Sequence, residues 1–213
     1  MQPHENYAVA GKRHDKEDVV GDFPTPQWAT RALIEKILLP NDIPTHEMSV
    51  WEPAANRGFM VRPLEEYFGQ VFATDKFNYD DRWPVLDFLS VSPHEVPPVD
   101  FVVTNPPFNL AQEFIEKALS VAHIGVAMLV RTSFLEGKKR YENLFSQVPP
   151  TAICQFAERV PMVKGRMDKA ATTATSYCWL VWLRPVVSKH PAFLWIPPCR
   201  KELEREGDYD LLV

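Results

Sequence analysis

The apolar run DFVVT at residues 100–104 stops at Asn105-Pro106-Pro107-Phe108, and a segment with helical patterning follows at once. This unit constrains the fold more than any other, because it sets a strand end, a rigid turn and a helix start within a few residues. The predicted helix carries Ala111, Phe114, Ile115, Ala118, Leu119 and Ala122 on one side, with Asn109 placed to cap it and Gln112 at capping-box spacing. The same alternation of strand and helix recurs along the chain. Thr25 reads as the N-cap and Pro26 as the first residue of a helix bearing Trp28, Ala32, Leu33, Ile37 and Leu38, which ends before Pro40. Strands are expected at 49–54, 70–75, 85–89, 100–104, 125–134, 152–158 and 176–183, with a short helix in 59–68. Such alternation makes an open α/β sheet. The last two of these strands lack a helix between them and should pair antiparallel.

A chain of 213 residues with 46% hydrophobic composition buries one substantial core. The expected division is a flexible segment 1–22, one domain over 23–190 and an extension over 191–213 that covers a sheet edge. Cys154, Cys178 and Cys199 form no CxxC pair, and an odd count disfavours a secreted disulfide framework, so a reducing cytoplasm is expected. The first residues carry charges where a signal peptide needs an apolar core, and no apolar segment reaches the roughly 18 residues of a membrane span. A formal charge of −5 gives no global attraction to nucleic acid, so any such binding must rest on local basic patches. The six histidines, at 4, 14, 46, 94, 123 and 190, show no metal-ligand spacing, and no metal is expected.

The tetrapeptide offers an amide acceptor, a rigid carbonyl and an aromatic ring together. An aromatic amino nitrogen is a poor nucleophile because its lone pair is delocalised into its ring. The Asn105 side-chain oxygen and the Pro106 carbonyl are suited to accept its two N–H bonds and favour a pyramidal nitrogen, while Pro106 and Pro107 hold both acceptors in place. Phe108 is suited to stack on a flipped base, a contact worth roughly 1–3 kcal/mol.

In chain order, FPTP (23–26), WEPAANRG (51–58), FATDKF (72–77), LDFL (86–89) and TNPPF (104–108) resemble the motifs of class I S-adenosylmethionine-dependent methyltransferases of the N6-adenine type. The resemblance covers roughly residues 23–184 and points to the small bacterial and phage form without a separate target-recognition domain. It implies a Rossmann-like methyltransferase fold: a mainly parallel seven-stranded sheet, the last strand antiparallel, with helices on both faces. It also implies S-adenosylmethionine as cofactor and methyl transfer to adenine N6 in DNA. In that reading Thr25 and Pro26 close over the methionine end of the cofactor. Glu52 attracts its amino group, in a turn with Pro53 and Ala54 where Gly58 lets the backbone approach. The family usually has glycine where Asn56 stands, and asparagine is the non-glycine residue that best tolerates positive φ. Asp75, followed by Lys76 and Phe77, takes the place of the acid that accepts ribose hydroxyls, and Asp87-Phe88 resembles the pair that meets the adenine ring. Asn105 belongs to both the catalytic and the cofactor sets. As isolated residues these also have plain structural readings: a helix cap for Thr25, a loop cap for Asp75, a core ring for Phe88.

Substrate contact must come from loops. Lys164, Arg166 and Lys169 lie between the last two predicted strands, and Arg131 precedes Lys138, Lys139 and Arg140; both groups are candidates to contact phosphate, or else are solvated charged loops. Nucleic acid, DNA first, is the expected partner. Motifs of this type also serve RNA, cytosine N4, guanine N2 and protein glutamine, and a non-catalytic binding subunit is the alternative from another class.

Overall fold

The computed structural model describes residues 22–79, 81–92, 94–96, 98–185 and 189–210; apart from Asp22, the expected flexible segment 1–22 lies outside them. The strands are β1 (Ser49–Glu52), β2 (Gln70–Ala73), β3 (Val99–Thr104), β4 (Ala122–Arg131), β5 (Ala152–Phe156), β6 (Tyr177–Leu183) and β7 (Ala192–Ile196). They form one sheet in the order β2-β1-β3-β4-β6-β5-β7. All neighbouring pairs are parallel except those of β6, which runs antiparallel to both β4 and β5.

The apolar runs are explained by two cores, one on each face of the sheet. Val103, Ala127, Leu129, Trp179 and Val181 point to one side, where they meet α1 (Gln27–Leu33) and α2 (Val61–Tyr67). Val102, Val126, Met128, Leu180 and Trp182 point to the other, where they meet α3 (Ala111–Val121). Strands buried on both faces read as continuous apolar runs rather than alternating ones. Trp179 and Trp182 are fully buried, and their indole N–H groups donate to the carbonyls of Ala29 and Val148 at 3.1 and 3.0 Å. These two rings are core.

Several expectations change at the level of elements. Residues 85–89 make no strand but a single parallel bridge, Asp75 to Val85. Pro84 precedes it, and Asp87 folds its own neighbourhood: its side chain accepts from Leu89 N–H at 3.1 Å and its carbonyl from Ser90 and Val91. Local side-chain bonds of this kind compete with sheet pairing. The seventh strand is β7 instead, and the tail from 191 adds to the sheet edge rather than covering it. Neither Thr25 nor Asn109 caps a helix; Pro26 and Leu110 occupy the cap positions, and Gln112 bonds Glu116 instead of closing a capping box. The helix after Pro26 also runs past Pro40, through a wide π turn (Ile34–Leu38) and a 3-10 turn (Leu39–Asn41). At the start of such a turn proline's missing N–H has no partner to lose.

Arg31 ties this helical layer to the end of the chain. Its guanidinium is 1% exposed and bonds Glu66 at 2.8 Å, Asp208 at 2.7 and 2.9 Å and the Leu203 carbonyl at 2.8 Å. Removing one partner of a buried ion group leaves the others uncompensated, which costs roughly 3–5 kcal/mol. Arg31→Met is therefore expected to lower the urea midpoint by that amount of stability, and adding Asp208→Asn should restore part of it. An unchanged midpoint in the single variant would show the network to be solvated and dispensable.

Candidate active site

The chain passes from β1 to β2 on one side and then crosses to β3 on the other. Ligands of open α/β sheets bind at such a reversal, beyond the carboxyl ends of the strands. Here that position is a cleft of about 970 Å³, including its open mouth. Thr25, Glu52, Pro53, Ala54, Asp75, Lys76, Phe77, Asp87, Phe88, Asn105 and Pro107 all line it, so residues separated by up to 82 positions are brought together as the motifs imply. Among the described residues Pro26, Gly58, Pro106 and Phe108 are not part of the lining. Gly58 serves the turn, with φ +86° and its N–H donating to the Ala55 carbonyl at 2.7 Å.

Asn105 is held in a way that settles which end of its amide faces the Phe23 backbone. Its Nδ2 donates to the Phe23 carbonyl at 3.2 Å, to the Thr25 hydroxyl at 3.1 Å and to Met162 Sδ at 3.7 Å. A backbone carbonyl only accepts, so the nitrogen must face it. Asn105 Oδ1 is then left buried with no partner. A buried acceptor without a donor costs stability and needs an explanation. The turn itself is fixed from behind, where Leu110 N–H donates to the Pro107 carbonyl at 2.9 Å.

Three carboxyls surround the same space. Glu52 is 1% exposed, and burial pushes it up from 4.5 to about 8, against the opposing bond from Ala54 N–H at 2.9 Å. Asp75 is also raised by burial, although Phe77 and Asn56 N–H groups donate to its two oxygens at 2.9 Å each. Asp87 is lowered because Lys76 Nζ stands 2.7 Å away. Asn56 adopts φ +47°, a conformation that favours glycine and then asparagine, and its side chain bonds Asp22 at 2.9 Å. Buried Phe88 packs edge-on to Trp51 and against Phe114, each at 5.0 Å, while Phe77 is 39% exposed at the rim.

The expected substrate residues divide. Arg140 braces its own turn, donating to the carbonyls of Phe134 (2.7 Å) and Glu136 and covering the Phe134 ring at 4.0 Å; it is spent on structure. Lys138 and Lys139 are exposed, Lys138 lying 3.8 Å from Glu142. Lys164, Arg166 and Lys169 are exposed on the loop between β5 and β6, Arg166 pairing with Asp168 at 3.2 Å. That loop is docked at the site: Val160 and Met162 are buried, Met162 touches Asn105, and Gly165 N–H donates to the Asp22 carbonyl at 2.8 Å. Phe108 departs from expectation. Its ring packs against Phe23 at 5.2 Å and is covered by the Arg131 guanidinium at 3.9 Å.

Asp22, Phe23 and Met162, which hold Asn105 or its loop, were not among the predicted site residues. Phe23 could have been found, since it opens the FPTP motif; Met162 carries no signal in an irregular loop. Among the described residues no group of His, Cys, Asp and Glu is arranged to hold a metal ion, and no helix is long and apolar enough to cross a membrane.

No protein-family model matches the chain, and no curated protein matches it in sequence. Solved structures do. A candidate RNA methyltransferase from Pyrococcus horikoshii superposes with a TM-score of 0.57 at 15% identity, over 80% of this chain and 90% of that one. The modification subunit of a candidate type I restriction enzyme from Vibrio vulnificus gives 0.54 at 14% identity, over 91% of this chain; this chain spans only 51% of that subunit. A candidate hemolysin from Lactococcus lactis gives 0.50 at 10% identity, over 86% of this chain and 99% of that one. At these identities the likeness is one of fold. The fold is the Rossmann-like methyltransferase fold, and the particular chemistry must be argued from the site.

Proposed function

We propose that this chain is an S-adenosylmethionine-dependent methyltransferase that methylates the exocyclic N6 amino group of adenine in DNA. The observation that carries the reading is Asn105 Oδ1, a buried acceptor whose own nitrogen is fully engaged elsewhere. An incoming amino group supplies the missing donor, and the second amino N–H is directed to the Pro106 carbonyl next along the rigid turn. Both bonds draw the lone pair out of conjugation, so the residues prepare the nucleophile without needing to move.

The rest of the cleft fits the cofactor. Glu52 and Asp75 are buried carboxyls that a bound cation would keep ionised. Glu52 would hold the ammonium of the methionine part, Asp75 the ribose hydroxyls, and Asp87, Phe88 and Phe77 the adenine end. When bound, S-adenosylmethionine would supply an electrophilic methyl: the N–C bond would form as the S–C bond breaks, S-adenosylhomocysteine would leave, and the amino nitrogen would lose one proton to solvent, so that transfer requires mainly alignment. The exposed cations of the loop docked on Asn105 would meet phosphate.

The test is incubation with methyl-labelled S-adenosylmethionine and, separately, duplex DNA, single-stranded DNA, RNA and cell protein, followed by digestion and mass spectrometry. Label is expected as N6-methyladenine in DNA. Label in RNA, in another base or in glutamine would keep the chemistry and replace the substrate; cofactor binding with no label in any polymer would overturn the catalytic reading in favour of a binding subunit.

A further inference from the structure

Phe108 is the ring on which a flipped base is expected to rest, yet a cation already lies over it. Phe23 packs beside it, tilted by 45° with centroids 5.2 Å apart. The Arg131 guanidinium lies over it, its central carbon 3.9 Å from the ring centroid. Arg131 ends β4 beside Tyr177 of β6, is exposed, and among the described residues is paired with no carboxylate. An exposed arginine with no acid, spread over an aromatic ring one residue beyond the Asn105-Pro106-Pro107 acceptors, is a planar cation standing where a planar base must go.

We propose that Arg131 holds the place of the target base on Phe108: the incoming base displaces the guanidinium from the ring, and the guanidinium then pairs with a phosphate of the same strand. The proposal rests on the reading of this site as a nucleic-acid methyltransferase. A cation over a ring at an exposed site is the weaker contact and a stacked base the stronger, so the exchange runs downhill once a base is available. The displaced guanidinium exchanges its hydrogen bond to the neutral Tyr177 hydroxyl for one to a phosphate, an acceptor that carries the opposite charge. Lysine would carry the same charge without covering the ring, because only the guanidinium is flat. Substrate choice follows. A phosphodiester strand both fills the ring and gives Arg131 a phosphate, whereas a free nucleoside must displace the arginine and offers it no anion in return.

Wild type, Arg131→Ala and Arg131→Lys are compared for binding of a fluorescein-labelled single-stranded oligodeoxynucleotide across a sodium chloride series, and for binding of adenosine, which has no phosphate. S-adenosylhomocysteine binding reports that each variant is folded. Arg131→Ala is expected to weaken the oligonucleotide about tenfold at low salt and to lower the slope of log Kd against log salt by about 0.7, one phosphate contact. The same variant should bind adenosine about two- to fivefold more tightly, because the ring is now open. Arg131→Lys should keep the salt slope and still gain adenosine affinity. A wild-type slope in Arg131→Ala, or adenosine binding that is unchanged, weaker or undetected in it, overturns the proposal. A wild-type protein that binds S-adenosylhomocysteine but no oligonucleotide overturns the nucleic-acid reading itself, and the proposal with it; one that binds neither overturns the methyltransferase reading.

Discussion

Asn105→Ala is expected to lower methyl-transfer turnover by roughly 10²–10³-fold, the usual loss when one preorganised partner of the reacting group is removed. S-adenosylmethionine affinity should change far less, because the Glu52 and Asp75 carboxyls are untouched. The substitution also removes the donors to the Phe23 carbonyl and the Thr25 hydroxyl, so a loss of activity alone would not separate an acceptor from a tether. Asn105→Asp separates them. It keeps an oxygen facing the cleft but turns its other oxygen towards the Phe23 carbonyl, which only accepts. If the free Oδ1 matters, the aspartate variant retains measurable turnover above that of alanine; if the tether to residues 23–25 matters, both variants are equally inactive. Thr25→Val, which deletes only one of the tether bonds, should cost little in the first case and much in the second. Full turnover in Asn105→Ala would remove the basis of the proposed chemistry.

Much of this site was legible because it is written in strand ends. A strand followed by a tight turn announces itself in sequence, so Glu52, Asp75 and Asn105 are legible as residues at the carboxyl ends of strands. Asn56 was equally readable: positive φ suits glycine and then asparagine, and φ is +47° there. The misread elements have physical causes as well. VLDFL at 85–89 has the composition of a strand but contains Asp87, whose turn bonds prevail over pairing. AFLWI at 192–196 is a strand that hides its period, since Phe193 and Trp195 are both exposed on one side at the sheet edge. What sequence does not carry is side-chain direction across long separations. The orientation of the Asn105 amide depends on a carbonyl 82 residues away, and the cover over Phe108 depends on the end of the next strand in the sheet.

Glu52→Gln is expected to act in opposite directions on stability and on cofactor binding. The Glu52 carboxyl stands at about 8 in the folded protein against an ordinary 4.5, because burial opposes its charge. The folded state therefore holds a proton that the unfolded chain has released. The stability this gives is complete below about pH 4.5, declines as pH rises, and is gone above about pH 8. The full difference is on the order of 5 kcal/mol. Glutamine keeps an oxygen for Ala54 N–H and cannot ionise, so the variant should be the more stable protein at pH 9 and match wild type below about pH 4.5 in urea unfolding. Asp75, raised in the same sense, titrates in both proteins and repels the Glu52 charge, so the difference between them reports Glu52 together with its coupling to Asp75. Cofactor binding should show the reverse. A bound ammonium favours the ionised carboxylate, so wild-type affinity for S-adenosylmethionine rises between about pH 6 and pH 8 as the cost of removing the proton falls. The glutamine variant should bind about a hundredfold more weakly at pH 8, as expected when a buried charge loses its partner, and with little pH dependence. Isothermal titration in buffers of different ionisation enthalpy would count the released proton directly. Equal affinities and equal pH profiles in the two proteins would mean that Glu52 is a core acid only, and that the cationic end of the cofactor is held elsewhere.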